Sequence, residues 1–146
     1  MKALLIIPVV LLALVIGLTS ISANGGRPLS TDLTGAAEVP GPGDPDGSGK
    51  ADITLNQGLG QVCFEITVSD ITLPATGAHI HVGTADVAGP IVVPLTPPDA
   101  SGSSSGCVEN VDKDLIKDIR KDPSGYYVNV HTTDFPGGAV RGQLSN

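Results

Sequence analysis

The sequence predicts an all-β protein, an antiparallel β-sandwich or barrel with one short helix on its surface. Three observations carry this expectation. Apolar and polar residues alternate through several short stretches, the period-two pattern of half-buried strands. The 19 glycines and 12 prolines interrupt those stretches at short intervals, where turns belong. A single segment instead carries apolar residues at helical spacing.

The chain opens on a segment that is not part of this fold. "MKALLIIPVVLLALVIGLTSISA" has one lysine, an apolar run from Ala3 to Leu18 and small residues at Ser20, Ser22 and Ala23. That is the pattern of a secretory signal peptide over residues 1–23, cut after Ala23. A membrane-spanning helix wants about 20 apolar residues, so no membrane association is expected once this segment is removed. Residues 24–146 then form one domain, long enough to bury a core.

Along that domain, "LTGAAEV" (33–39) is the first expected strand, and "PGPGDPDGSG" (40–49) is a loop. "GKADITL" sets Ala51, Ile53 and Leu55 on one face. "GQVCFEITVS" sets Val62, Phe64, Ile66 and Val68 opposite Gln61, Cys63, Glu65 and Thr67. "AHIHV" and "PIVVPL" follow as strands, and "TPPDASGSSSG" (96–106) reads as a second loop. In "NVDKDLIKDIRKD", Val111, Leu115, Ile116 and Ile119 recur at helical spacing, with Asn110 or Asp112 to cap the start and Pro123 to end it. "YYVNVHT" and "GGAVRGQL" supply the last strands.

Charge and composition exclude several functions. The net charge of -7 becomes more negative when Lys2 leaves with the signal peptide. An acidic surface without a basic patch repels phosphate backbones, so nucleic acid is not an expected partner. Aromatic residues are 3% of the chain, which leaves no stacking platform for sugars. The two cysteines, Cys63 and Cys107, suit an oxidising compartment. Bridged, they would contribute about 4 kcal/mol through chain entropy; the alternative is a pair of free thiols.

The three histidines carry the chemistry. Alternation in a strand puts His79 and His81 on one face of "AHIHV", opposite Ala78, Ile80 and Val82. It likewise puts Tyr127, Asn129 and His131 on one face, opposite Tyr126, Val128 and Val130. The apolar sets belong in the core, so all three imidazoles are expected to point outward. If the two strands are neighbours, three neutral imidazole nitrogens converge as ligands suited to copper, zinc or nickel, with a position left open. Otherwise they are ordinary solvated side chains.

Other motifs are weaker. "GDPDGSG" places Asp44, Asp46 and Ser48 at alternate positions but lacks the remaining ligands of a calcium loop, and it reads as a solvated turn. "SGSSSG" is not a strained nucleophile elbow. No carboxylate pair suggests glycoside hydrolysis.

Three segments, "LTGAAEVP", "AHIHVGTADVAGPIVVPL" and "YYVNVHTTDFPGGAVRGQL", together resemble the CHRD domain, a module named after chordin and found in many secreted bacterial proteins. The resemblance spans residues 29–146. It implies a Greek-key-like β-sandwich of the immunoglobulin or superoxide-dismutase kind. It also implies a life in the periplasm, cell wall or medium, and a protein or wall-polymer partner. A fainter resemblance is to the copper site of copper–zinc superoxide dismutases. There an H-x-H strand and a later V-H strand bind copper, and an arginine guides the anion. It implies His79, His81 and His131 as copper ligands, zinc being the weaker candidate, and Arg141 as an anion-guiding or supporting group. Asn129 and Tyr127, on the histidine face, could orient an imidazole, and Arg141 could instead pair with Asp134 at the surface. The histidine that bridges copper and zinc in those enzymes has no counterpart here, which argues against dismutase activity.

Overall fold

The computed structural model describes residues 26–146; the signal peptide expected over residues 1–23 and its expected cut lie outside the described residues. Among the described residues, eight antiparallel strands form one sheet, with a single nine-residue α-helix. In chain order they are β1 (Arg27–Thr34), β2 (Ser48–Asn56), β3 (Gln61–Ser69), β4 (Gly77–Val82), β5 (Ile91–Leu95), β6 (Ser103–Val108), helix α1 (Lys113–Lys121), β7 (Tyr126–His131) and β8 (Val140–Gln143).

The spatial order is β5-β4-β7-β8-β1-β2-β3-β6. The sheet folds over on itself until its two edge strands nearly meet. Ser104 Oγ donates to the Thr96 carbonyl at 2.6 Å and the Asp99 amide to the Ser103 carbonyl at 3.1 Å. The result is a flattened, near-closed barrel or sandwich. Its halves, β5-β4-β7-β8 and β1-β2-β3-β6, join through Thr34 opposite Arg141 and a bridge between Ser30 and Ser145. No helix among the described residues is long and apolar enough to cross a membrane.

Period two decides what fills the interior. Ala51, Ile53 and Leu55 of β2 and Val62, Phe64, Ile66 and Val68 of β3 are buried, as are Ala78 and Ile80 of β4 and Val128 and Val130 of β7. Helix α1 closes one end. The Asp112 side chain caps it by accepting from the Asp114 amide at 2.8 Å, leaving one fewer orphan N–H at its start. Its apolar stripe puts Ile116 and Ile119 into the core, and Lys113 Nζ ties it to the Gly58 carbonyl of the β2–β3 turn at 2.8 Å.

The structure corrects three expectations. The first strand is Arg27–Thr34, and Gly35–Ala37 is instead a short 3-10 turn. The cause is the close approach of Gly35 to the Asp44 backbone, where a Cβ would collide. The serine-rich stretch from Ser103 is a strand. Its hydroxyls lie along an exposed edge, and the Cys63–Cys107 disulfide joins directly opposed residues of β3 and β6, fixing a register that an alternating apolar face would normally set. Val82 is 36% exposed, outside the core, because the register against β5 shifts between Ile80 and His81.

Truncating the buried foot of the helix should loosen the closed end. Ile119→Ala is expected to cost about 2–5 kcal/mol, read as a lower urea midpoint at unchanged slope.

Candidate metal centre

β4 and β7 are hydrogen-bonded neighbours, and their register builds the site. Gly77 lies opposite His131, His79 opposite Asn129, and His81 opposite Tyr127. With no side chain at Gly77, the rings of His79 and His131 lean into the space over it. A Cβ there would sit 3.2 Å from His79 Cε1 and 3.4 Å from His131 Cδ2, tighter than ordinary contact. One ligand nitrogen from each of His79, His81 and His131 lies within 4.8 Å of the others. Among the described residues, this is the cluster whose donor atoms suit a metal ion.

The hydrogen bonds select the atoms that face each other. His81 Nδ1 lies 2.8 Å from the Gly89 carbonyl oxygen. A carbonyl only accepts, so Nδ1 carries the proton and Nε2 keeps its lone pair. That Nε2 is buried without any hydrogen-bond partner. His131 Nδ1 donates to the Pro136 carbonyl at 3.0 Å, and its Nε2 faces His79 Nδ1 at 3.2 Å. His79 Nδ1 therefore donates to His131 Nε2. With its proton on Nε2 instead, His79 would offer a third lone pair to the same space.

The histidines point away from the core, as parity predicts, yet their face is partly covered: His79 and His131 are half-buried and His81 is buried. His81 is 8% exposed, Asn129 3%, Tyr127 3% and Arg141 1%. The loop 83–90 covers one side. Gln143 Nε2 donates to the Gly83 carbonyl, and the Gly89 amide donates to the Tyr127 hydroxyl. Arg141 reaches the same loop: Nη2 donates to the Thr84 carbonyl at 2.8 Å and Nη1 to the Val87 carbonyl at 3.0 Å. Its guanidinium lies 3.4 Å over the Tyr127 ring, which stacks on His81 with centroids 4.8 Å apart. Arg141 is thus buried beneath a loop, away from the surface setting beside Asp134; Asp134 accepts from Thr72 Oγ.

Burial sets the electrostatics. It is the largest cause that holds His79 down to about 4, with the charges of His131 and His81 adding to it. Burial also lowers His131, opposed in part by its bond to Pro136. Both rings are neutral at pH 7, the form that ligates. On the other side lies Glu38, which sequence reasoning missed. Its carboxyl is 7% exposed, accepts from Asn129, and is pushed by burial up to about 7 against the pull of Arg141. Charge burial at one glutamate leaves no periodic signal; the glycines at 43 and 138 that make room for it read only as turns. The calcium-like "GDPDGSG" is a turn in which Asp44 Oδ1 accepts from the Asp46 amide at 3.3 Å.

Glu38 gives a pH signature of stability. The folded protein holds its proton up to about 7, whereas the unfolded chain releases it near 4.5. The folded state therefore binds more protons in that interval, and this group's contribution falls as pH rises through it. Glu38→Gln is expected to gain on the order of 1 kcal/mol over the parent at pH 8 and little at pH 4.5, measured by denaturant titration at both.

A model of the CHRD domain matches residues 29–144. No curated protein and no solved structure matches the chain. The match takes in β1 from Leu29 onward, the other seven strands and all three histidines, and on it the chain belongs to the CHRD domain family.

Proposed function

We propose that this is a secreted metal-binding module whose three-histidine centre takes copper, with zinc the weaker candidate. The observation that carries the reading is His81 Nε2: a buried nitrogen lone pair, without a partner, aimed among two other imidazoles. An orphaned buried acceptor costs about 1–3 kcal/mol, a cost that a metal ion would relieve. The donor set fits such an ion, since His79, His81 and His131 offer three nitrogens and no carboxylate joins them. Three imidazoles suit copper, which also stands at the top of the divalent affinity order. A bound copper ion would supply a one-electron redox couple and an open coordination position.

This chain's own residues would do the rest. The Gly89 and Pro136 carbonyls hold His81 and His131 in the ligating tautomer. Tyr127 fixes the plane of His81 by stacking, and Arg141 holds the ring and loop above it. Secretion is consistent with the leading apolar segment and with the Cys63–Cys107 disulfide, a bond that persists in oxidising compartments.

A second reading, a non-catalytic extracellular module that binds a protein or wall polymer, draws on Val82, Val87 and Ile91. These side chains are 36%, 45% and 52% exposed around the β4–β5 connection.

Metal stoichiometry separates the two. The protein is stripped with chelator, loaded with copper or zinc, desalted and analysed. About one copper per chain is expected. In His131→Ala and His81→Ala, retention should fall by more than the about 10–100-fold typical of losing a supporting partner, with the circular dichroism unchanged. A protein that retains neither metal would leave the binding-module reading standing alone.

A further inference from the structure

Behind the loop that holds His131, the segments 38–42 and 134–138 face each other across a cleft of about 230 Å³. Its walls are apolar, made by Pro40, Pro42, Pro136 and Phe135. Glu38 lines it as well, and Asp134 stands at its rim, exposed to solvent. The chain makes unusual room for that buried glutamate. A Cβ on Gly43 would lie 2.7 Å from Glu38 Cγ, and one on Gly138 would collide with the carboxyl.

Glu38 is incompletely partnered. Asn129 and the Val39 amide donate to its carboxyl, yet Oε1 has no hydrogen-bond partner. Arg141 acts on Glu38 through its charge, but its Nη atoms are committed to Thr84, Val87 and Gln143. Buried carboxylate oxygens are ordinarily paired. The fold therefore keeps a carboxyl at the base of an apolar cleft with acceptor capacity to spare. Burial pushes its pKa up to about 7, so a nearby cation would draw it to the ionised form at neutral pH.

We propose that this cleft binds a primary alkylammonium group, with the ammonium at the Glu38 carboxylate and the alkyl chain between the prolines and the Phe135 ring. An ammonium supplies the donors that Oε1 lacks. Phe135 offers a ring face or edge to a cation and its methylenes, and the prolines exclude water at little entropic cost. Asp134 adds a second negative charge at the entrance. The same group occurs on a free small amine and on a lysine side chain of another protein. The inference does not depend on metal binding.

The test uses chelator-treated protein and n-butylammonium as the probe, with n-butanol as its uncharged counterpart. Amide shifts of Phe135, Gly137 and Gly138 are followed by heteronuclear NMR. Butylammonium is expected to move them saturably with a Kd on the order of 1–10 mM, as suits a ligand of this size. Butanol should bind at least about tenfold more weakly. Glu38→Gln should abolish saturation, and Phe135→Leu should weaken it several-fold while leaving the carboxylate in place. If Glu38→Gln does not fold, the amine–alcohol comparison on the parent protein still decides. Shifts that never saturate, or equal binding of amine and alcohol, would overturn the proposal. So would undiminished binding by folded Glu38→Gln. Acetyl-Gly-Lys-Gly-amide then distinguishes the sources: tighter binding than butylammonium assigns the site to a partner's lysine, and equal or weaker binding to a free amine.

Discussion

The structure depends on the antiparallel register of β4 against β7. Gly77, His79 and His81 face His131, Asn129 and Tyr127 across that pair, and the opposite face carries Ala78, Ile80, Val128 and Val130 into the core. The two faces are tied together by alternation. A slip of one residue would turn the histidines of β4 inward and Ala78 and Ile80 outward, so burial of four apolar side chains also selects the register that gathers the imidazoles. Gly77 completes the arrangement from the other direction. Placed opposite His131, it supplies the empty volume into which two rings fit, which any larger residue would occupy.

The outer face of this sheet has a roof. Loop 83–90 is held by a column of Arg141, Tyr127 and His81, one ring or planar group upon the next. A fully buried guanidinium is costly unless its N–H groups find acceptors, and here the loop's own carbonyls at Thr84 and Val87 provide them. The dependence is mutual, since those carbonyls would be short of donors without the arginine. Arg141 in this position is a clamp on the roof, joined by charge to Glu38 on the other flank. The sheet is thus three layers deep at the histidines: core, strand pair and covering loops.

Much of this was legible in the sequence, and the parts that were not share a cause. Strand parity correctly grouped His79, His81 and His131, and likewise Tyr127 and Asn129, because alternation is a local property of extended backbone. Helical spacing, with Asn110 or Asp112 as the cap, located α1 for the same reason. What failed was inference about the third layer. Parity says that a side chain leaves the core; it cannot say whether a loop returns to cover it. Hence the burial of His81 was not foreseen, Arg141 was left between a supporting role at the histidines and a surface pair with Asp134, and Glu38 was not considered. The strand at Ser103 was missed on different grounds. Its edge position removes the apolar alternation by which strands are recognised, and a disulfide, which is not periodic, holds it in register.

The covering layer also sets the chemistry of what it covers. Each of the two imidazoles whose Nε2 carries no proton owes that state to a carbonyl from a different loop: Gly89, from the roof, accepts from His81, and Pro136, from the β7–β8 connection, accepts from His131. Neither acceptor belongs to a strand. The sheet brings the rings together, but the loops choose the nitrogen that each presents. The Pro136 carbonyl comes from a segment that also walls the cleft over Glu38, so the ordering of that segment is shared between the histidines and the buried carboxyl. A change that loosened the 134–138 loop would therefore disturb the His131 tautomer without touching a histidine, and stripping the roof from Arg141 would do the same to His81. The strands fix where the three rings stand, while two loops of unremarkable sequence determine what those rings can do.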